Sequence, residues 1–113
     1  MLIIEKLLFE KINSLFKRLA SSFFAKEKTG SIVTITRIVS SKDLKSSKIF
    51  ISIFPESREK EIFSLLKGRA GELRRYIGSQ IKMKFLPFFE IVIDEEEKAR
   101  QKIDKILGPV AKG

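Results

Sequence analysis

The chain has 113 residues, 43% of them hydrophobic, with 23 basic against 14 acidic residues and a formal net charge of +9. It has no cysteine and no histidine, which excludes disulfides, thiolate catalysis, Cys/His zinc sites and histidine bases. The length fits one domain, 1–113, with a radius of gyration of roughly 13–14 Å, and the charge excess suits a polyanionic partner such as nucleic acid.

No stretch approaches the ~18 apolar residues of a membrane span. Met1-Leu2-Ile3-Ile4-Glu5-Lys6 carries charge where a signal peptide carries its apolar core. The expectation is a soluble, cytoplasmic protein with no membrane partner.

Residues 4–24 read as an amphipathic helix within an N-terminal segment 1–25. Ile4, Leu7, Leu8, Ile12, Leu15, Phe16, Leu19 and Phe23 recur at three- and four-residue steps and share a face. Such a helix could lie on a membrane, but its stripe is better used covering a sheet. Thr29-Gly30-Ser31 is a loop, and 31–39 is a strand, β-branched almost throughout. The small polar residues and lysines of 40–47 connect it to a second strand, 48–54, in which Ile49, Ile51 and Ile53 alternate with Phe50, Ser52 and Phe54. Pro55 stops that strand.

Ser57 is the expected N-cap of a helix over 58–67 that buries Ile62, Phe63, Leu65 and Leu66. Gly68-Arg69-Ala70-Gly71 then breaks the helical run, because glycine costs about 1 kcal/mol relative to alanine inside a helix. A further helix, 72–82, carries Leu73, Ile77 and Ile81 at four-residue steps. The third strand is 85–93, with Leu86, Phe89, Ile91 and Ile93 inward and Pro87 near its start. Asp94 caps a last helix, 95–107, with Glu97 completing a capping box, and Gly108-Pro109 ends it.

These elements predict an α+β fold. Two strands joined by a short loop form a hairpin, and a helical pair long enough to cross over leads to the third. The result is a three-stranded mixed sheet covered by helices, with a core over 28–94. The order α-β-β-α-kink-α-β plus a C-terminal helix is KH-like, of type II.

Four stretches narrow the comparison. They are Val33-Thr34-Ile35-Thr36-Arg37-Ile38-Val39-Ser40; Asp43-Leu44 followed by Lys48-Ile49-Phe50-Ile51-Ser52; Gly71-Glu72-Leu73-Arg74 with Ile77-Gly78; and Leu86-Pro87-Phe88-Phe89-Glu90 with Asp94 and the terminal Ile103–Leu107 helix. In order and spacing they resemble the ribosome-binding factor A family over about 33–107. The resemblance implies a non-enzymatic monomer without cofactor or small-molecule substrate. Such a protein binds the free 30S small subunit and its 16S rRNA, assists maturation of the 16S rRNA 5′ end, and leaves before translation. Two positions depart from the family. Its kink is usually Ala-x-Gly, whereas Arg69 stands at the alanine and Gly68-Arg69-Ala70-Gly71 spells Gly-x-x-Gly. Its first helix is often arginine-rich near the start, whereas this one begins almost neutral.

The candidate RNA-binding residues are Arg37, Lys42, Lys45, Lys48, Gly68, Arg69, Gly71, Arg74, Arg75, Lys82 and Lys84. Arginine suits bidentate phosphate contact and lysine adds mobile charge. The expectation is that the helix after the kink and the interstrand loop form one phosphate-binding surface. Gly68 and Gly71 read either as a clamp on RNA backbone or as a C-cap and a tight packing point. The clamp reading leads to an alternative function, a stand-alone KH-type protein that binds single-stranded RNA or acts as a chaperone. Asp94-Glu95-Glu96-Glu97 is explained by the helix dipole without a metal. Phe50, Phe54, Phe85, Phe88 and Phe89 are candidate stacking platforms or core residues, and Phe88 is the one best placed to face out.

Overall fold

Alternation of apolar and polar residues builds a three-stranded sheet with one face covered by helices. The computed structural model describes residues 3–107. The elements are α1 (Ile3–Ala25), β1 (Ile32–Ser40), β2 (Ser46–Phe54), a 3₁₀ turn (Glu56–Arg58), α2 (Glu59–Lys67), α3 (Ala70–Gln80), β3 (Phe88–Ile93) and α4 (Glu95–Leu107). The Gly108-Pro109 helix stop lies outside the described residues.

The sheet order is β1-β2-β3, with β1 antiparallel and β3 parallel to β2. The α+β fold, the mixed sheet and the element order are therefore as the sequence predicts. On β2, Ile49, Ile51 and Ile53 are buried and point at the helices, while Lys48, Phe50, Ser52 and Phe54 share the open face. Ile35 of β1 with Phe89 and Ile91 of β3 complete the inner face. Against it pack Phe16, Leu19, Ala20 and Phe24 of α1, Ile62 and Leu66 of α2, and Leu73 and Ile77 of α3. The Phe16 and Phe89 rings meet edge to face at 5.2 Å.

Several local expectations are corrected. The first two turns of α1 overhang the core, leaving Ile4, Leu7 and Leu8 exposed, because only the later turns lie over the sheet. Ser57 is not an N-cap: it sits inside the 3₁₀ turn, and α2 begins after Arg58 without a side-chain cap. Leu65 faces solvent, one step off the Ile62–Leu66 stripe. α3 ends at Gln80, where Ile81 turns extended, so Lys82 lies outside it. β3 starts at Phe88, after a buried Pro87.

Asp94 does cap α4: its Oδ1 accepts the Glu97 amide at 3.0 Å. The reciprocal half of the capping box is missing, because the Asp94 amide donates to the Ile51 carbonyl at 2.8 Å and the Glu97 carboxylate pairs with Arg100. α4 buries none of its residues and leaves Ile103, Ile106 and Leu107 exposed. With α1 overhanging and α4 projecting, the radius of gyration is 15.8 Å, above the value for a spherical domain.

Candidate nucleic-acid interface

Residues 41–45 join β1 to β2 in a turn held by its own side chains. The Ser41 hydroxyl donates to Asp43 Oδ1 at 2.7 Å and accepts the amides of Lys45 and Ser46 at 3.1 Å. Asp43 also accepts the Lys45 amide at 3.0 Å. The Ser41 hydrogen bond, then the Lys45 amide, hold the Asp43 carboxyl below the ordinary aspartate value. This network supports Leu44 at φ 57°, a left-handed conformation that disfavours a leucine. The Lys45 carbonyl can then accept the Phe88 amide at 3.0 Å, tying the turn to the start of β3.

That tie builds a shallow cleft of about 790 Å³, lined by Asp43, Leu44, Lys45, Arg74, Met83, Lys84, Phe85, Leu86 and Phe88. Arg74 reaches across from α3, donating to the carbonyls of Pro87 at 3.0 Å and Leu86 at 2.9 Å. Its guanidinium lies 5.0 Å from the Phe88 ring centre, and the Lys84 ammonium 5.7 Å from that of Phe85. Phe85 and Phe88 are 77% and 72% exposed.

The structure thus brings Lys45, Arg74 and Lys84 together around two solvent-facing aromatic rings. Lys42 is exposed on the same turn, and Lys48 stands on the open sheet face opposite Glu90. Arg75 and Lys82 are exposed but do not line the cleft.

The kink sits elsewhere. Arg69 Nη1 pairs with Glu27 at 2.6 Å and Nη2 with Glu72 at 2.7 Å, over the ring of Phe23. At the other end of α1's packed length, Asn13 accepts the Ser40 hydroxyl beside the β1–β2 turn. The helix between them, Asn13 to Ala25, spans roughly 18 Å. The Gly68–Gly71 break is real; Gly71 stands one helical turn before Arg74 on α3, and neither glycine lines the cleft. Gly68 is a C-cap with an ordinary right-handed φ of −68°. Gly71 is not a packing point, since a Cβ there would meet nothing within 4 Å.

Arg37 is also engaged within the protein. A bulge in β1 between Ile35 and Arg37 turns Thr36 toward Asp94, whose Oδ2 accepts the Thr36 hydroxyl at 2.5 Å. Arg37 Nε lies 3.4 Å from the same oxygen, and its guanidinium lies over Phe50 at 4.1 Å. Burial opposes ionisation of Asp94, but Thr36, the Glu97 amide and Arg37 outweigh it and hold the carboxyl below its usual range. Lys98 bridges Glu59 and Glu56, and the Glu59 hydrogen bond foremost raises its pKa.

Because β2 and β3 are parallel, their starts share one end of the sheet, with Ser46 beside Phe88, and Ile51 is beside Ile93 toward the other. The six steps from Phe88 to Asp94 span roughly 20 Å. Lys45, Arg74 and Lys84 gather at the first end, and the carboxylates at the start of α4 lie at the second, paired there with Arg37, Lys98 and Arg100. No group of three or more Asp or Glu among the described residues is arranged to hold a metal ion. No described helix is long and apolar enough to cross a membrane.

Sequence reasoning names Phe85 only as one of five rings that could face out or enter the core, and it misses the Thr36 bulge. The alternation of β3 did carry one signal: with Phe89 inward, Phe88 must face out.

A family model described as "Ribosome-binding factor A" matches residues 3–107. The chain belongs to the ribosome-binding factor A family. A ribosome-binding factor A from Opitutus terrae is 31% identical over 103 residues, covering 88% of this chain and 84% of that protein. One from Caldanaerobacter subterraneus is 38% identical over 78 residues, covering 68% of this chain and 64% of that protein. Among solved structures, the crystal structure of ribosome-binding factor A from Thermus thermophilus superposes with a TM-score of 0.65 at 22% identity, covering 74% of this chain and 92% of that one. A homology model of Thermus thermophilus ribosome-binding factor A, fitted into a cryo-EM map of its 30S complex, gives 0.62 at 23% identity, covering 73% of this chain and 90% of that one. These structural likenesses establish the shared fold.

Proposed function

We propose that this protein is a non-enzymatic assembly factor that acts as a monomer in the cytoplasm, binding the free 30S subunit through its 16S rRNA. It assists maturation of the 16S rRNA 5′ end and departs before the subunit enters translation. The observation that carries the reading is the cluster of Lys45, Arg74 and Lys84 around one cleft, on a chain of the ribosome-binding factor A family. A Thermus thermophilus relative fitted into a 30S map supports the same partner. Lysine and arginine gathered on one end grip phosphates electrostatically, and shape rather than base edges supplies selectivity.

Sedimentation through a sucrose gradient tests it. The protein is expected to travel with free small subunits and not with whole ribosomes, and the double variant Lys45→Glu, Lys84→Glu to stay at the top. Equal association with whole ribosomes, or none with small subunits, overturns the reading.

The alternative grip through Gly68–Gly71 is separable. Gly71 is open, and a Cβ at Gly68 would make only ordinary contacts at 3.5–3.6 Å, so both sites have room for Gly68→Asp with Gly71→Asp, with circular dichroism as the check on folding. Little loss of RNA binding is expected; a large loss of single-strand binding would favour the stand-alone RNA-binding protein instead.

A further inference from the structure

We propose that the cleft holds an unstacked base of single-stranded RNA against Phe85 and Phe88, a recognition subsite that rests on the RNA-binding reading above. Two phenylalanines exposed by 77% and 72% in one short segment are costly as mere surface. Both line the same shallow, open cleft of about 790 Å³. Each ring has a cation near it, Arg74 at Phe88 and Lys84 at Phe85. Arg74 is pinned by the carbonyls of Leu86 and Pro87, so the Phe88 platform is held in place before anything binds.

The combination of flat apolar faces with a cationic rim matches one ligand chemistry, a base joined to phosphates. The base stacks on a ring and the neighbouring phosphates meet Lys45 and Lys84. A base within a duplex has both faces already covered, so the occupant is an unpaired nucleotide. A purely apolar peptide would leave the cations without a partner, and a purely electrostatic site would not need the rings.

The probe is a six-nucleotide RNA with 2-aminopurine at its centre, whose fluorescence is quenched when the base stacks. The full-length protein is expected to quench it on binding. The double variant Phe85→Leu, Phe88→Leu keeps the apolar surface but loses the π-faces. It is expected to bind about tenfold more weakly without quenching, and with its salt dependence unchanged. Phe88→Trp is expected to retain both affinity and quenching, and neither variant disturbs the core. The proposal is overturned by the absence of quenching with the unaltered protein, or by a leucine variant that behaves like it. Equal competition by adenosine monophosphate overturns the assignment to an RNA strand. Sedimentation of the unaltered protein with free small subunits is scored separately. If it persists while quenching is absent, the subsite falls and the assembly role stands.

Discussion

Asp94 joins three parts of the domain through one carboxylate. It caps α4, accepts the Thr36 hydroxyl from the β1 bulge and faces Arg37, while its amide extends the pairing of β3 with β2. It is 5% exposed. Asp94→Ala is expected to lower stability by about 2–3 kcal/mol in denaturant titrations, through a lost cap and a polar site left unfilled. Because the folded state depresses its pKa, the contribution is complete above the ordinary value of 3.8 and is lost as pH falls through the lower folded value. Acid titration of stability should therefore show a loss below about pH 4 in the unaltered protein, and a smaller one in Asp94→Asn. Gly71 supplies the opposite sign. It is helical and open, so Gly71→Ala should raise stability by about 0.5–1 kcal/mol. Gly30, at φ 70° with Arg58 closing on it, cannot take that change, and Gly30→Ala should destabilise. The sequence shows Asp94 as a cap because a cap is local. It does not show Thr36 and Arg37 beside it, because that contact depends on a bulge whose register is set by β2.

At the level of elements, period was legible and packing depth was not. Every helix and strand that periodicity predicts is present, with the ends of α3, β2 and β3 shifted by two or three residues, since spacing decides which residues share a face and not where an element stops. How far along a helix that face finds a partner depends on the length of the sheet beneath it. In α1, Phe16 is fully buried whereas Leu7 is 59% exposed, although both belong to one stripe. Phe16→Ala should cost about 3–5 kcal/mol and Leu7→Ala under about 1, measured as shifts in denaturation midpoint. The same limit explains the kink. Two glycines announce a break between α2 and α3, but only the Arg69–Glu27 pair shows that the break packs against the end of α1. Of the candidate cations, Arg37, Arg69 and Arg74 have partners inside the protein, which a count of charges along the chain cannot reveal.

Across the whole molecule, charge is sorted by the direction of the strands. Parallel pairing of β2 with β3 gathers Lys45, Lys84 and Arg74 at one end and sets the acidic start of α4 at the other. A net charge of +9 suits a polyanionic partner, and on the proposed reading this pairing sets which end meets it. The central claim is that phosphates bind at the cleft end, and the salt dependence of RNA affinity tests it most directly. In a plot of log affinity against log salt, Lys45→Ala with Lys84→Ala should flatten the slope by roughly 1.4–1.8, two phosphate contacts' worth. Lys102→Ala with Lys105→Ala, on the projecting α4, should leave it unchanged. A slope that drops for the α4 pair and not for the cleft pair contradicts the account.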